Sequence, residues 1–350
     1  MRILQVCPRY YPAIGGVEEH VRNISERLAR NNAVTVFACN PSGKLPRKEE
    51  VNHVLIRRFK SFSPSDAYYI SFEMLKRLRK SDFDIVHGHS YHAFPLYFSR
   101  YAKRKKFVVT PHYHGRGHTP FRDFLIRLYK PLGKKIFEEA DRVISVSNYE
   151  KELLIKHFGI IKDKIGVVRN GVNLAEFSHL ESIPKEGKTI LYVGRVEEYK
   201  GVQYIVQALP LLDNDFNLKI VGEGPYENKL VKLINNLRLN DRVKFYRHLP
   251  REELLKMYAK ASVFALLSRY EAFALTIAEA LAAKTPCVVA NTSALAEWVD
   301  NKNCFGIDYP IDSNKLADLM SEVIIRKVTD VKLWDWDKVV SELTRVYEED

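Results

Sequence analysis

Cysteine is scarce in this chain: Cys7, Cys39, Cys287 and Cys304 are all there is, far apart and without paired spacing. That excludes a disulfide framework, offers no zinc pattern and suits a reducing compartment. Long apolar runs are missing too. No stretch reaches the roughly 18 uninterrupted apolar residues of a membrane-spanning helix. The N-terminus opens on the strand-like Ile3-Leu-Gln-Val-Cys7, with no signal-peptide core before it. The expectation is a cytoplasmic protein, soluble or peripheral at the inner membrane face. Acidic residues are missing from one place: Arg100 to Lys135 holds eleven bases and only Asp123, a net +10 of the chain's +12. Phe121, Phe124, Leu125, Leu128 and Tyr129 interleave with these bases at helical spacing. Such a face suits an anionic membrane or a phosphorylated substrate. No groove-reading or stacking motif accompanies the charge, so nucleic acid is not expected as a partner. A merely solvated basic face is the plainer alternative.

What the chain has in quantity is alternation. Apolar runs (Ile3 to Cys7, Val34 to Ala38, Ile85 to His87, Phe107 to Thr110, Arg142 to Val146) alternate with amphipathic stretches. The pattern resumes with Thr189 to Val193, Leu218 to Val221, Val243 to Tyr246, Val263 to Leu267 and Cys287 to Ala290. This β-α-β order implies parallel sheets covered on both faces. Two sets of about five strands in 350 residues suggest two doubly wound domains, 1–169 and 170–330, followed by a helical tail at 331–350. Ser147-Asn-Tyr-Glu150 has capping-box spacing and predicts a helix start. Val17, Val21, Ile24 and Leu28 predict another helix beginning at Gly15-Gly16. Gly187-Lys188-Thr189 imitates the end of a P-loop, but Ser182 stands where its first glycine belongs and a strand follows, so nucleotide hydrolysis is rejected.

Glu271 and Glu279 frame Glu271-Ala-Phe-Ala-Leu-Thr-Ile-Ala-Glu279. On one ideal helix they would stand about 12 Å apart along the axis and about 80° apart around it, and could not share a proton. The spacing reads better with Glu271 in the loop after a strand and Glu279 one turn into the next helix, both facing the crevice where open α/β sheets bind ligands. Two unrelated surface glutamates are the plain alternative. The spacing and its surroundings resemble the E-x7-E signature of the retaining glycosyltransferase-4 family. That resemblance covers nearly the whole chain, with the motifs in the family's order. It implies the GT-B fold, two doubly wound Rossmann-like domains facing each other across a cleft, with the tail crossing back onto the first.

The resemblance also implies roles. Pro8 to Gly16 matches the loop that approaches the donor diphosphate, where Gly15 and Gly16 expose backbone N–H groups ahead of a helix N-terminus. Thr110-Pro111-His112 matches the strand-end histidine that contacts the transferred sugar. Gly194-Arg195-Val-Glu-Glu-Tyr-Lys200-Gly201 resembles GR-x4-KG, in which Arg195 and Lys200 neutralise the leaving diphosphate. Val221-Gly222-Glu223-Gly224-Pro225 matches the turn bordering the nucleotide, with Phe245 to Leu249 near the base. Glu271 would hold hydroxyls of the donor sugar and Glu279 the ribose. The amides of Phe273, Ala274, Leu275 and Thr276 would meet phosphate. His87, His89, His92, His114 and His118 invite a metal reading, but the family generally needs none, and the paired spacing of a zinc helix is missing. No cofactor is expected, the nucleotide sugar being a substrate.

The family usually reads E-G-F-G where this chain has Glu271-Ala-Phe-Ala274, and Lys284-Thr-Pro286 and Ser293-Ala-Leu-Ala-Glu297 also depart from its pattern. Alanine penalises positive φ and crowds an approaching ligand. The expected activity is metal-independent, retaining hexosyl transfer to an acceptor hydroxyl, with a lipid-linked or acidic acceptor. The competing readings are a non-catalytic binder of nucleotide sugar or membrane and a nucleotide-sugar epimerase.

Overall fold

The computed structural model describes residues 1–64, 68–117 and 119–349. The chain forms two compact units, one of Met1–Asn170 with Trp336–Asp350, the other of Gly171–Asp335. The first is built on β1 (Arg2–Val6), α1 (Gly16–Leu28), β2 (Ala33–Asn40), β3 (Lys48–Val51), β4 (Val54–Lys60), α2 (Phe72–Leu78) and β5 (Asp82–His89). It continues with α3 (Phe94–Ser99), β6 (Lys103–Thr110), α4 (Pro120–Glu139), β7 (Arg142–Ser145), α5 (Asn148–Phe158) and β8 (Ile165–Val167). These strands make one sheet in the order β3-β4-β2-β1-β5-β6-β7-β8, parallel except where β3 turns back on β4. Such a sheet is covered on both faces, so its inner strands are apolar without alternation: Ile3, Leu4 and Val6 of β1 are fully buried.

The second unit comprises β9 (Lys188–Val193), α6 (Val202–Ala208), β10 (Phe216–Val221), α7 (Glu227–Asn236), β11 (Val243–Tyr246) and α8 (Arg251–Lys260). After these come β12 (Val263–Leu266), α9 (Leu275–Ala282), β13 (Cys287–Ala290), β14 (Cys304–Ile307) and α10 (Ser313–Val323). Its six strands, all parallel, run β11-β10-β9-β12-β13-β14. Every residue of β12 and β13 is buried. The last helix, α11 (Trp336–Glu348), belongs to the first unit, where Asp337 pairs with Arg27 of α1 at 3.3 Å and Tyr347 is buried.

The sheets hold eight and six strands where the sequence pattern gave about five each. Of the four added strands, β3, β4, β8 and β14, the first three are charged or short. β3 is Lys-Glu-Glu-Val, a charged edge of the kind that discourages further pairing. β4 carries Arg57 and Arg58, and β8 has only three residues. The helix at Ser147 forms, with its hydroxyl accepting from Glu150 N. The Glu150 carboxylate does not complete a capping box, however, and accepts instead from the backbone of Val146 and Tyr113, tying α5 to the loop after β6. No helix among the described residues is long and apolar enough to cross a membrane.

Candidate functional site

In the second unit strand order reverses between β9 and β12, which opens a crevice at the strands' carboxyl ends. Two loops line it. One runs from Gly194 to Lys200 after β9, the other from Leu267 to Ala274 after β12. They touch: Arg269 N donates to Tyr199 O at 2.7 Å. Gly201 sits at φ 76°, and a side chain there would strike the Leu267 carbonyl, so only glycine lets the loops close. This closure brings Lys200 Nζ to 2.6 Å from Glu271 Oε1, with 17% and 14% of the two side chains exposed. Burial works against the Lys200 ammonium, but the adjacent carboxylate outweighs it and holds the pKa above its ordinary value, so the pair is ionic.

Arg195, about half exposed, pairs with buried Glu197 at 2.8 Å. The turn after β10 packs on this segment. Gly222, at φ 133°, leaves no room for a side chain against the Gly194 carbonyl, and Gly224 lies against Val196. Gly222 N donates to Tyr246 O at 2.9 Å, which fixes the end of β11, the strand of Phe245, beside the turn.

The loop carrying Glu271 is pinned from beyond β13. Glu271 N donates to Ser293 Oγ at 3.1 Å, and Trp298 Nε1 donates to the Phe273 carbonyl at 2.8 Å. Ala274 enters α9 at φ 71°, left-handed backbone that alanine occupies at a cost, with no side chain capping the helix. Leu275 and Thr276 form the uncapped first turn, whose amides suit an anion. Glu279 lies in the second turn, and its two oxygens meet Arg251 Nη1 at 2.5 Å and Tyr258 OH at 2.9 Å. Arg251 also pairs with Glu176 at 2.8 Å. Burial opposes the Arg251 charge, while Glu279 and Glu176 more than restore it. The sequence reading missed both partners of Glu279, although Arg251 and Tyr258 stand seven apart on α8 and therefore on one face.

In the first unit Gly16 opens α1, and the buried carboxylate of Glu18, held by Arg9 Nε at 2.7 Å, fills the space beside Gly15. His112 follows β6 at φ 50°. Its ring centroid lies 4.9 Å from that of His20 and 6.0 Å from that of His89, and one ring nitrogen from each of the three falls within 4.8 Å of the others. Hydrogen bonds set the tautomers. Gln5 Nε2 donates to Tyr347 OH, which faces His87 Nδ1 at 2.7 Å, while His87 Nε2 faces Thr110 Oγ1 at 2.8 Å. Gln5 Oε1 therefore takes the proton on His89 Nε2 at 2.7 Å and leaves Nδ1 bare. Asn170 Oδ1 does the same for His20 Nδ1 at 2.7 Å, leaving Nε2 bare. His20 Nε2, His89 Nδ1 and His112 Nε2 are closed from solvent and have no hydrogen-bond partner among the described residues. Burial pushes His20 down to about 4, and burial with neighbouring imidazoles takes His89 and His112 well below the usual range. All three are neutral.

Of the histidines near His112 in sequence, His89 alone joins this cluster. His92 and His114 stack on each other at 4.9 Å, and His118 lies outside the described residues. His20 was missed, yet it stands four residues before Ile24 on the apolar stripe of α1, an unusual place for imidazole.

The basic segment divides in two, which corrects its reading as one patch. Lys103 and Lys105 pair with Asp82 and Asp84 of β5, Arg100 pairs with Glu139, and Lys106 donates to the Val346 carbonyl of α11. Arg100 and Lys106 are tied to the fold in this way, while Lys103 and Lys105 stay 81% exposed in surface pairs. Along α4, by contrast, Phe121, Phe124 and Leu128 are 69%, 55% and 61% exposed, one turn apart on a stripe flanked by Arg127, Lys130 and Lys134.

Residues 14–176 match the family described as Glycosyltransferase Family 4, and residues 176–332 that described as Glycosyl transferases group 1. A glycogen synthase of Mycobacterium tuberculosis is 30% identical over 86% of this chain and 80% of its own length. A GDP-mannose:cellobiosyl-diphosphopolyprenol alpha-mannosyltransferase of Xanthomonas oryzae is 27% identical over 81% and 77% respectively. Among solved structures, that of Anabaena HepE in complex with UDP-glucose matches with a TM-score of 0.79 at 16% identity, covering 99% of each chain.

Proposed function

Because the chain belongs to the family 4 glycosyltransferases and has their GT-B fold of Rossmann-like units, we propose that it transfers a hexosyl group from a nucleotide sugar to an acceptor hydroxyl, with retention and without a metal. The observation that carries the reading is the Lys200–Glu271 pair at the β9/β12 switch point. A donor diphosphate is a better partner for the lysine than a single carboxylate. Its arrival would draw Lys200 and Arg195 to phosphate and release Glu271 to accept hydrogen bonds from sugar hydroxyls. The open first turn at Leu275 and Thr276 adds amide donors, and Glu279, already oriented by Arg251 and Tyr258, takes the ribose. On the first unit, the neutral, half-buried ring of His112 at the end of β6 contacts the transferred sugar. With the leaving phosphate taking the acceptor's proton, no enzyme carboxylate need act as base.

A thermal-shift panel of nucleotide sugars tests this, since a ligand at 100 times its dissociation constant stabilises by about 2.7 kcal/mol. One nucleotide series should stand out, with transfer unaffected by EDTA. Activity abolished by EDTA and restored by a divalent ion would overturn the metal-free reading and make His20, His89 and His112 the ligands to test. The strained Ala274 favours one competitor, a non-catalytic binder, which would shift with donor yet never turn over.

For the acceptor we propose a lipid-linked molecule at an anionic membrane surface. The exposed stripe of α4 supports this, as does the Xanthomonas relative, whose name specifies a diphosphopolyprenol. Vesicle co-sedimentation should rise with anionic lipid, fall with salt, and weaken on Phe121→Ser with Leu128→Ser but not on Lys103→Ser. Equal recovery in the supernatant with anionic and neutral vesicles at low salt would exclude it.

A further inference from the structure

Away from every residue assigned so far, β3, β4 and α2 border an open pocket of about 340 Å³ in the first unit. Its wall holds seven basic side chains and a single acid, Glu73. Two of the seven are already engaged. Arg47 pairs with Glu73, while buried Arg58 pairs with Glu49 and donates to the Pro46 and Tyr11 carbonyls. The other five are Lys48, Arg57, Lys76, Arg77 and Lys80, and none has a carboxylate within ion-pair distance among the described residues. Their placement sets like charges side by side. Lys48 and Arg57 are direct partners across the β3–β4 ladder, where like charges repel. Lys76, Arg77 and Lys80 follow one another through the last turn of α2 and just past it. The end of a helix favours cations, which accounts for bases on α2 but not for the pair opposite them on the strands.

Cations gathered in a concave wall raise the local concentration of anions and are relieved of repulsion when one binds. We propose that this pocket binds a diphosphate or bisphosphate group, with Lys48, Arg57, Lys76, Arg77 and Lys80 as its counter-charges. Five uncompensated cations exceed what one phosphate monoester neutralises, and three of the five come from a helix and its end, two from a strand pair, so that they face a ligand from two sides. Lys48, Lys76, Arg77 and Lys80 are exposed and Arg57 is half-buried, so these long side chains can close on it without backbone movement. The site is independent of the transfer reaction read at Lys200 and Glu271.

Inorganic pyrophosphate is the probe, titrated calorimetrically into the full chain carrying Arg195→Ala and Lys200→Ala, so that the second unit's cations do not contribute. Binding should persist there, weaken steeply with salt, and fall at least tenfold on adding Arg57→Gln and Arg77→Gln. The same two changes should leave the melting temperature equal or higher, because they relieve repulsion; a structural role would lower it. Pyrophosphate binding that the pocket changes leave intact, or that vanishes with Arg195→Ala and Lys200→Ala alone, overturns the proposal. A second arm separates the ligand's sources. Displacement of the protein by pyrophosphate from phosphatidylcholine vesicles carrying phosphatidylinositol bisphosphate identifies a lipid headgroup, whereas vesicle binding indifferent to pyrophosphate identifies a soluble phosphorylated ligand.

Discussion

The two units solve one topological problem with opposite chemistry. Each is a doubly wound sheet whose strand ends present side chains at a point of strand-order reversal. In the second unit those side chains are paired ions, Lys200 with Glu271 and Arg251 with Glu279. In the first they are imidazoles that burial keeps neutral. Ion pairs suit a substrate that brings charge and must be exchanged against it. Neutral acceptors suit hydroxyls, which they can orient without competing for protons.

The sharpest break of that contrast is to remove one member from each side. Lys200→Ala strands Glu271 and takes a cation from the leaving group, so transfer should fall by about 10²–10³-fold. His112→Ala removes a neutral hydrogen bond of about 1 kcal/mol, so transfer should fall by only about fivefold. Steady-state kinetics on both variants decide it, and equal losses would mean that the two units do not divide the work in this way.

Acidity should part the units as well. His20, His87, His89, His92 and His112 are held neutral in the fold, whereas unfolded they protonate near pH 6.5. The folded first unit therefore binds fewer protons below that value and loses stability as pH falls. Glu150 acts in reverse: burial raises its pKa to about 8 from 4.5, so its contribution is lost as pH rises through that window. Five imidazoles outweigh one carboxyl below pH 6.5, which puts the first unit's maximum near there. Hydrogen exchange followed by unit should show it opening ahead of the second at pH 5, and Glu150→Gln should flatten the alkaline side. Acid opening that begins in the second unit would contradict this account.

Within the second unit the two glutamates should separate. Glu279→Gln should weaken binding of a free nucleoside diphosphate by about tenfold, in line with loss of a hydrogen bond to a charged group. Glu271→Gln should spare that binding and lower transfer. Wild-type transfer in both would make the motif a coincidence. The smallest effect expected is at Ala274, where glycine should recover about 1 kcal/mol of left-handed strain. Chemical denaturation measures it, and an unchanged midpoint would show the strain to be already relaxed.

Much of this was legible in the residues. The β-α-β alternation located the core strands because parallel sheets bury both faces, and Arg195, Lys200, Glu271 and Glu279 stood out through motifs in order. What escaped lies where contact comes from folding alone. Arg251 and Tyr258 reach the site from a helix with no motif of its own, and Trp298 from just past Ser293-Ala-Leu-Ala-Glu297. The basic segment looked uniform because sequence cannot tell a lysine facing Asp82 from one facing solvent. Strand β3 was invisible because charged edges carry no apolar run.

Tyr347 stands 342 residues after Gln5 in sequence, and its hydroxyl accepts from the Gln5 side-chain amide. Gln5 in turn decides which nitrogen of His89 carries the proton. Until α11 arrives, a chain emerging from the ribosome has all of the first sheet but no fixed hydrogen-bond direction through its histidines. The second unit, complete by Asp335, has no such wait. Loss of α11 would thus spare the second unit while leaving Gln5 and His89 without a fixed hydrogen-bond direction.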